Sequence, residues 1–237
     1  MKPVLILQHQ TAEHPAYLTE WLAKHEYPYQ VFNAAAGSNF PASMDDYSAL
    51  AVLGGSMSAN DPLLSNRQAE ILILQAMRLD RPVIGHCLGG QLMTRAVGST
   101  VGPSPEPEIG WQPIDYADDP LVEHWFGHRP APRVIQWHGE SFAIPPGAVR
   151  LASSSACPNQ AWALGQKFLA MQFHIEINEK KAREWAADTD PAWTALQARS
   201  SSVQSSQEII SGIDNHLAQH QAMADHVYSQ WITAADR

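Results

Sequence analysis

Cys87 lies in a sequence pattern that is typical of a nucleophile in a turn between a strand and a helix. Cys87 follows the apolar run Val83-His86 and precedes a helical pattern, and glycines occupy positions 85 and 89 on either side of it. In a G-x-nucleophile-x-G turn the glycines permit the sharp passage from strand to helix that presents the nucleophile at a sheet edge. The N–H groups at the start of the helix also favour a thiolate. The spacing predicts covalent chemistry at Cys87, although a buried structural thiol would fit the same turn.

A histidine and a carboxylate near the end of a later strand supply partners for such a nucleophile. His174 and Glu176 close the segment Met171-Glu176, and side chains two apart on a strand share a face. A carboxylate beside an imidazole fixes its tautomer and stabilises its charged form. Alone, a His-x-Glu pair is more typical of a protein surface. Together with Cys87 it predicts a Cys-His-Glu catalytic set.

A pair of glycines follows another apolar run. Gly54 and Gly55 come directly after Ala49-Leu53, and in a parallel sheet this loop opens at the same edge as the cysteine turn. Adjacent glycines let backbone N–H groups approach a ligand closely. We expect the N–H of this loop and that of Leu88 to form an oxyanion hole, although a Gly-Gly pair alone indicates only a turn.

The elements that must position these residues are visible in the hydrophobic pattern. Short apolar runs alternate with helical patterns as far as His86, which predicts a parallel sheet flanked by helices. After residue 100 the connections shorten, which predicts a mixed sheet with an antiparallel region. The expected strands are Val4-Leu7, Tyr29-Phe32, Ala49-Leu53, Val83-His86, Trp111-Tyr116, Arg133-Trp137, Ala161-Leu164 and Phe168-Phe173, with early helices near Ala16-Glu26 and Leu63-Leu79.

The C-terminal part follows a different pattern. The alternation of strands and helices stops near Asp188-Pro191. A helical stretch then runs to about Arg199 and is followed by the Ser-rich segment SSSVQSSQ and a long helix. The last helix carries an apolar stripe that must be buried, and the absence of heptads favours packing on the chain's own domain over a subunit contact. The Ser-rich segment is interpreted as a flexible linker that would let the last helix reach either its own domain or a second subunit. The stripe consists of Ile209, Ile213, Leu217, Ala224, Tyr228 and Trp231.

Composition limits the possible partners and location. The 237 residues are 45% hydrophobic and carry a formal net charge of −9, which suits one α/β core and argues against nucleic acid or an anionic membrane surface as partner. The N-terminal apolar run ends at Gln8, too short for a signal peptide or a membrane span, so we expect a cytoplasmic protein. Cys87 and Cys157 lack the spacing of a zinc knuckle or a redox pair.

Three segments together resemble the class I glutamine amidotransferase family, which includes the glutaminase domain of GMP synthase. The resemblance covers roughly residues 1–187 and rests on Gly54-Gly55, the turn Gly85-Gln91 and the sequence Gln172-Glu176, in that order. Three intervening segments resemble the stand-alone branch of the family: Glu108-Trp111, Trp137-Glu140 and Ala156-Ala161.

The resemblance implies a fold and a catalytic set. The fold is a flavodoxin-like three-layer α/β sandwich with a mostly parallel central sheet, to which residues 188–237 add a helical extension. In the implied triad, Cys87 is the nucleophile, His174 acts as base and acid, and Glu176 orients the histidine.

The resemblance also implies the residues around the triad. Gly55 and Leu88 would supply the oxyanion N–H groups. Gly54 and Gln91 would border the substrate pocket, and His138 would line its mouth.

Four residues depart from the usual family pattern. Ile175 stands where proline is common, but it preserves the i, i+2 relation of the triad residues. Ser56 and Gly90 replace the frequent residues of their loops and affect pocket shape rather than chemistry. His86, immediately before the nucleophile, is interpreted as a packed, hydrogen-bonded residue whose side chain points away from the thiol, rather than as one that tunes Cys87.

No cofactor or metal is expected. The sequence has no Walker loop and no G-x-G-x-x-G. His216 and His220 lie one turn apart on the last helix, but no HExxH pattern or acidic third ligand accompanies them, so we interpret them as solvated.

The expected activity is hydrolysis of the γ-carboxamide of glutamine through a γ-glutamyl thioester. Ammonia could pass to a synthetase partner, because the residues after 187 carry no nucleotide-binding motif with which to use it. A γ-glutamyl peptide or conjugate hydrolase with the same triad is an alternative that differs only in the leaving group. A non-catalytic interaction module is a third possibility, against which the intact triad argues.

Overall fold

The computed structural model describes residues 2–128, 130–187 and 191–235. The strands in these ranges are β1 Val4–Gln8, β2 Tyr29–Asn33, β3 Ala49–Val52, β4 Val83–His86, β5 Val101–Pro113, β6 Asp115–Tyr116, β7 Arg133–Phe142, β8 Val149–Ser153, β9 Ala161–Leu164 and β10 Phe168–Met171. The α-helices are α1 Ala16–Lys24, α2 Leu64–Arg78, α3 Leu88–Ala96, α4 Pro120–Phe126, α5 Glu179–Ala186, α6 Pro191–Gln197 and α7 Ser206–Thr233.

The central sheet has eight strands in the order β2-β1-β3-β4-β10-β9-β8-β6. Strands β2 to β10 in this order pair in parallel, and the last three strands add antiparallel pairs. Along β1, Val4 and Ile6 pack on one face while Leu5 and Leu7 pack on the other. Burial of both faces explains why β1, β3 and β4 read as apolar runs, whereas the edge strand β2 is largely exposed.

Helices cover both faces of this sheet. Helices α2 and α3 pack on one face, and α1, α4 and α7 pack on the other. The result is the three-layer α/β sandwich with a mostly parallel sheet and a C-terminal helix that the sequence predicts.

The expectation that all later strands join one mixed sheet is wrong for two of them. Strands β5 and β7 form a separate antiparallel two-stranded ribbon. Prolines at positions 103, 105 and 107 leave β5 without N–H donors there, which suits a ribbon better than a central strand. The segment expected as one strand, Trp111-Tyr116, is also divided between β5 and β6.

The C-terminal helix packs on the chain itself, as its stripe predicts. Ile209, Tyr228 and Trp231 are fully buried, and α7 contributes to the core over the sheet as well as to the core beneath the ribbon. None of the helices in the described ranges is long and apolar enough to span a membrane. The predicted domain boundary falls at Asp188, which lies outside the described residues.

The Ser-rich segment before α7 is not a free linker, so that interpretation is wrong. Ser202 Oγ donates a 2.6 Å hydrogen bond to Pro107 O, and Val203 forms a β-bridge with Ile109 of the ribbon. Ser205 and Glu208 form a capping box at the start of α7. Serine hydroxyls here satisfy backbone groups and cap a helix, which fixes the segment instead of freeing it.

Candidate active site

The turn that carries Cys87 depends on glycine. Cys87 has φ 49° and ψ −111°, a strained conformation for a residue with a side chain, and its N–H donates to Met171 O at 2.8 Å. A Cβ on Gly85 would lie 2.6 Å from the Gly89 carbonyl carbon, and one on Gly89 would lie 2.6 Å from that of Val52. Strand β4, strand β3 and helix α3 therefore meet closely enough to hold the thiol at the sheet edge.

Cys87, His174 and Glu176 lie together at that edge. His174 Nδ1 donates to Glu176 Oε1 at 2.7 Å, which leaves Nε2 as the nitrogen for the Cys87 thiol on the other side of the ring. His174 N also donates to Ile135 O on β7 at 3.1 Å. Strand β10 ends at Met171, so His174 and Glu176 follow the strand instead of ending it. The carboxylate orients the imidazole toward the thiol.

Opposite charges stabilise each other inside this site. Burial alone would lower the pKa of His174, but the Glu176 charge and hydrogen bonds with Cys87 and Glu176 raise it to about 10. Burial alone would raise the pKa of Glu176, yet the positive charges of Lys181 and His174 hold it well below its usual range. An imidazolium–carboxylate pair at neutral pH is the arrangement that stabilises a thiolate.

Sequence reasoning missed a lysine beside the triad. Lys181 on α5 is completely buried, and its Nζ donates to Glu176 Oε1 at 3.1 Å and to His14 O at 2.9 Å. Its helical neighbours Ala182 and Trp185 are buried too, so the apolar face of α5 could have shown that this lysine points inward.

The two expected oxyanion residues lie side by side. A Cβ on Gly55 would lie 2.7 Å from Leu88 Cδ2. Within the described part of the chain, the N–H groups of Gly55 and Leu88 donate to no other protein atom, and Leu88 is the first residue of α3. Both donors are therefore available to an anion near Cys87.

Gly54 occupies a different place from the one expected. A Cβ at this position would lie 2.7 Å from His174 Cε1, so the missing side chain leaves room for the His174 imidazole. Gly54 is not among the residues that line the two clefts beside Cys87. Its expected role at the substrate stays a prediction.

Two clefts meet at Cys87. A cleft of about 780 Å³ lies on the His174 side, where Glu13 and Trp185 form part of its wall. A smaller one of about 400 Å³ lies on the side of Gln91 and His138. We call them the histidine-side cleft and the glutamine-side cleft; both are also lined by Gly55, Ser56, Cys87 and Trp137.

The glutamine-side cleft is built on side-chain amides. Gln91 Nε2 donates to Glu140 O at 3.1 Å and to Gln172 Oε1 at 3.2 Å, and Gln172 Nε2 donates to Cys87 Sγ at 3.4 Å. The sequence placed Gln91 here, but the direct contact of Gln172 with the thiol was not foreseen. These amides connect the pocket wall to the nucleophile.

His138 lies in the same wall and is held from both sides. His138 Nε2 donates to Glu108 Oε2 at 2.9 Å, and Nδ1 lies 3.0 Å from Glu140 O. Ser154 Oγ donates to the other oxygen of Glu108 at 2.7 Å. The ribbon of β5 and β7 is thereby fixed against the loop after β8. Cys157 is fully buried beside it, with Sγ 3.1 Å from Ser141 Oγ.

The remaining histidines correct two expectations. His86 is packed as expected, but among the described residues the expected hydrogen bond is absent at both ring nitrogens; Nε2 lies 3.9 Å from Glu176 Oε2, and burial lowers the pKa of His86 to about 4. His220 is fully buried behind His174 rather than solvated, and burial lowers its pKa to about 4. His216 is half-buried against the Trp111 ring. The face of α7 that packs on the core is therefore wider than the apolar stripe indicates, and it includes His220.

Two groups of side chains bring three potential metal ligands within 4.8 Å of one another: Glu108, His138 and Cys157, and Glu13, His174 and Glu176. In the first, His138 already donates to Glu108. In the second, the Lys181 ammonium lies 3.5 Å from Glu13 Oε2 and 3.1 Å from Glu176 Oε1. A metal ion would have to displace these contacts.

Comparisons with known proteins agree with this geometry. Residues 17–188 match the model of the family described as glutamine amidotransferase class I. A glutamine amidotransferase-like protein of Salmonella typhimurium, YfeJ, is 32% identical over 71% of this chain and 73% of its own length. The crystal structure of a glutamine amidotransferase from Methylobacillus flagellatus is 37% identical, with a TM-score of 0.90 over 99% of this chain and 95% of that one.

Shorter matches connect the chain to two other activities. A GMP synthase of Pediococcus pentosaceus is 36% identical over 42% of this chain and 20% of its own length. A γ-glutamyl peptidase of Arabidopsis thaliana is 30% identical over 43% of each chain. The family match covers most of the sequence, and the fold agrees from end to end of the solved relative. The chain therefore belongs to the class I glutamine amidotransferase family.

Proposed function

We propose that the chain is a cysteine amidohydrolase that cleaves the γ-carboxamide of glutamine, with Cys87, His174 and Glu176 as its triad. The observation that supports this most strongly is the position of Cys87. Its thiol shares a cleft with the His174 ring, which Glu176 orients, and it lies where two clefts meet. A nucleophile paired with an oriented base beside free N–H donors suits acyl transfer.

The reaction proceeds in two halves. The Cys87 thiolate attacks the amide carbon, and the N–H groups of Gly55 and Leu88 hold the oxygen that becomes negative. The His174 imidazolium then donates its proton to the departing nitrogen, and ammonia leaves a γ-glutamyl thioester. In the second half, neutral His174 accepts a proton from water as the water attacks the thioester, which releases glutamate and the thiolate.

The two clefts suit the two parts of the substrate. The glutamine-side cleft is lined by Gln91, His138 and Glu140, whose polar groups suit the γ-glutamyl group. The leaving nitrogen must lie on the other side, because His174 protonates it there. In this arrangement the histidine-side cleft holds whatever is attached to that nitrogen.

A γ-glutamyl peptide or conjugate is the second candidate substrate. The histidine-side cleft has a volume of about 780 Å³. A water-sized leaving group such as ammonia fills only about 30 Å³. This excess of space, together with the similarity to a γ-glutamyl peptidase, favours a larger leaving group. For glutamine itself, the same open cleft suits transfer of ammonia to a synthetase partner.

Glutamate release from two substrates tests both candidates. Purified protein is incubated with glutamine or with a γ-glutamyl dipeptide, and C87S and C157S serve as paired variants. We expect release that C87S abolishes and C157S retains. Faster cleavage of the dipeptide would assign the peptidase activity, and faster cleavage of glutamine the glutaminase activity. Equal activity of C87S and the unaltered protein on either substrate would refute the mechanism.

The broader organisation also remains a proposal. We infer that residues 1–187 form the amidotransferase unit and that residues 188–237 are a helical extension whose long helix completes one face of the sheet. The protein is expected to act in the cytoplasm, without nucleic acid or membrane as partner and without a metal or organic cofactor.

A further inference from the structure

Lys181 is an unusual residue to find in the interior of a protein. Its side chain is fully buried, although lysine is almost never completely buried unless it is paired. The catalytic chemistry proposed above does not require it, because His174 carries every proton that moves. A buried charge that no reaction step uses needs another reason to be there.

The contacts of Lys181 converge on the triad. Its ammonium donates to the Glu176 oxygen that also accepts from His174, and to His14 O. A second carboxylate, that of Glu13, lies 3.5 Å away. Two hydrogen bonds and the nearby carboxylate of Glu13 hold the ammonium in one position.

Lys181 also supports the ring that packs on the catalytic histidine. Its Nζ lies 4.9 Å from the centroid of the Trp185 ring, a cation–π contact. The Trp185 ring in turn meets the His174 ring edge to face, with centroids 4.7 Å apart and an angle of 86°. One ammonium therefore contacts both the carboxylate and the indole that define the orientation of the imidazole.

Titratable groups from every neighbouring element face this ammonium or its carboxylate partner. They are Glu13 from the loop after β1, His86 from β4, His174 and Glu176 from the segment after β10, and His220 and Tyr228 from α7. Burial keeps the pKa values of His86 and His220 near 4, so both are neutral at pH 7. Apart from the His174 imidazolium, Lys181 therefore supplies the positive charge within this group.

We propose that Lys181 is a positioning residue of the hydrolytic site, which holds the Glu176 carboxylate as an anion aimed at His174 and so favours the thiolate–imidazolium pair. The proposal rests on the proposed triad. Removal of this positive charge makes protons bind more tightly to each nearby group. Thiolate formation at Cys87 should then require a higher pH, and a shift of about one unit corresponds to about 1.4 kcal/mol.

Alkylation of Cys87 tests this without a known substrate. Iodoacetamide is added to the folded full-length protein between pH 5 and pH 9, and the modified Cys87 peptide is quantified by mass spectrometry. In K181M the rate profile should move to higher pH by about one unit, while K181R, which keeps the charge, should restore most of its position. K24M is the control for loss of a lysine charge, because Lys24 is exposed at the end of α1 and lines neither cleft; its profile should not move.

Two further variants keep each outcome decisive. If K181M does not fold, K181Q, which removes the charge but keeps a donor for Glu176 and the His14 carbonyl, should show the same shift. An H174A variant, measured in parallel, tests the triad itself. A profile that shifts in H174A but not in K181M or K181Q would overturn the role of Lys181 alone. A profile unchanged in H174A would overturn both the triad and the role of Lys181.

Discussion

Replacement of Gly89 by alanine tests how closely the nucleophile turn is built. The added Cβ would lie 2.6 Å from the carbonyl carbon of Val52 and would overlap its oxygen. These are backbone atoms of β3, in the middle of the parallel sheet, so they cannot rotate away as a side chain can. Helix α3 must therefore move away from β3.

The size of that movement follows from the contact distance. Carbon atoms in contact are about 3.5 to 4.0 Å apart, so α3 has to retreat by about 1 Å. Overpacking of this kind costs about 1 to 3 kcal/mol in the free energy of unfolding, and we expect the upper part of that range because the obstacle is backbone. The same shift displaces Cys87 and the Leu88 N–H, and a misplacement of about 1 Å costs about 100-fold in rate.

Two measurements on purified G89A check this reasoning. Urea unfolding reports the stability, and the rate of glutamate release reports the position of the nucleophile. G102A is the matched control, because a Cβ at Gly102 on β5 would meet no atom within 4 Å, so it should change neither quantity appreciably. A G89A protein as stable and as active as the G102A control would refute the close approach of α3 to β3.

Three other predictions follow from the same structure. E176Q should retain more glutamate-releasing activity than H174A, because Glu176 orients and His174 transfers protons; full activity in H174A would refute the triad. The free energy of unfolding in urea should fall as pH drops from about 6.5 to about 4, because burial lowers the pKa values of His9, His86 and His220 to about 4, so these histidines bind protons only in the unfolded chain. The decrease should be at most about 1.4 kcal/mol per pH unit for each histidine, and His174 adds nothing because it is protonated in both states in this range. A free energy that does not change with pH would contradict the burial of these histidines. A chain ending at Ala187 should have a lower melting temperature and a lower solubility than the full-length protein, because the sheet face under α7 becomes exposed. An unchanged melting temperature, together with a change from dimer to monomer, would assign α7 to a subunit contact instead.

The parts of the fold that were predictable are those set by local pattern. Strands β1 to β4 and helices α1 to α3 follow the expected order, because buried parallel strands read as short apolar runs and the helices between them are amphipathic. The turn at Cys87 was predictable for a similar reason, since only glycine fits at positions 85 and 89.

The parts that were not predictable depend on contacts between distant segments. The apolar face of α5 indicates that Lys181 points inward, but its partners, Glu176 and the His14 carbonyl, come from distant segments that no local pattern brings together. The burial of His220 depends on where α7 crosses the triad. The Ser-rich segment has the composition of a linker, but Ser202 bonds to Pro107, 95 residues away. Composition indicates flexibility only where no such partner is present.

The most direct test of the central claim is covalent capture of the nucleophile. An electrophilic glutamine analogue is incubated with the full-length protein, and the labelled residue is identified by peptide mass spectrometry. The turn, the helix N-terminus and the His174 contact predict a single label on Cys87, with Cys157 unmodified and glutamate release lost in proportion to labelling. Labelling of Cys157 with loss of activity, while Cys87 stays unmodified, would contradict the assignment of the active site.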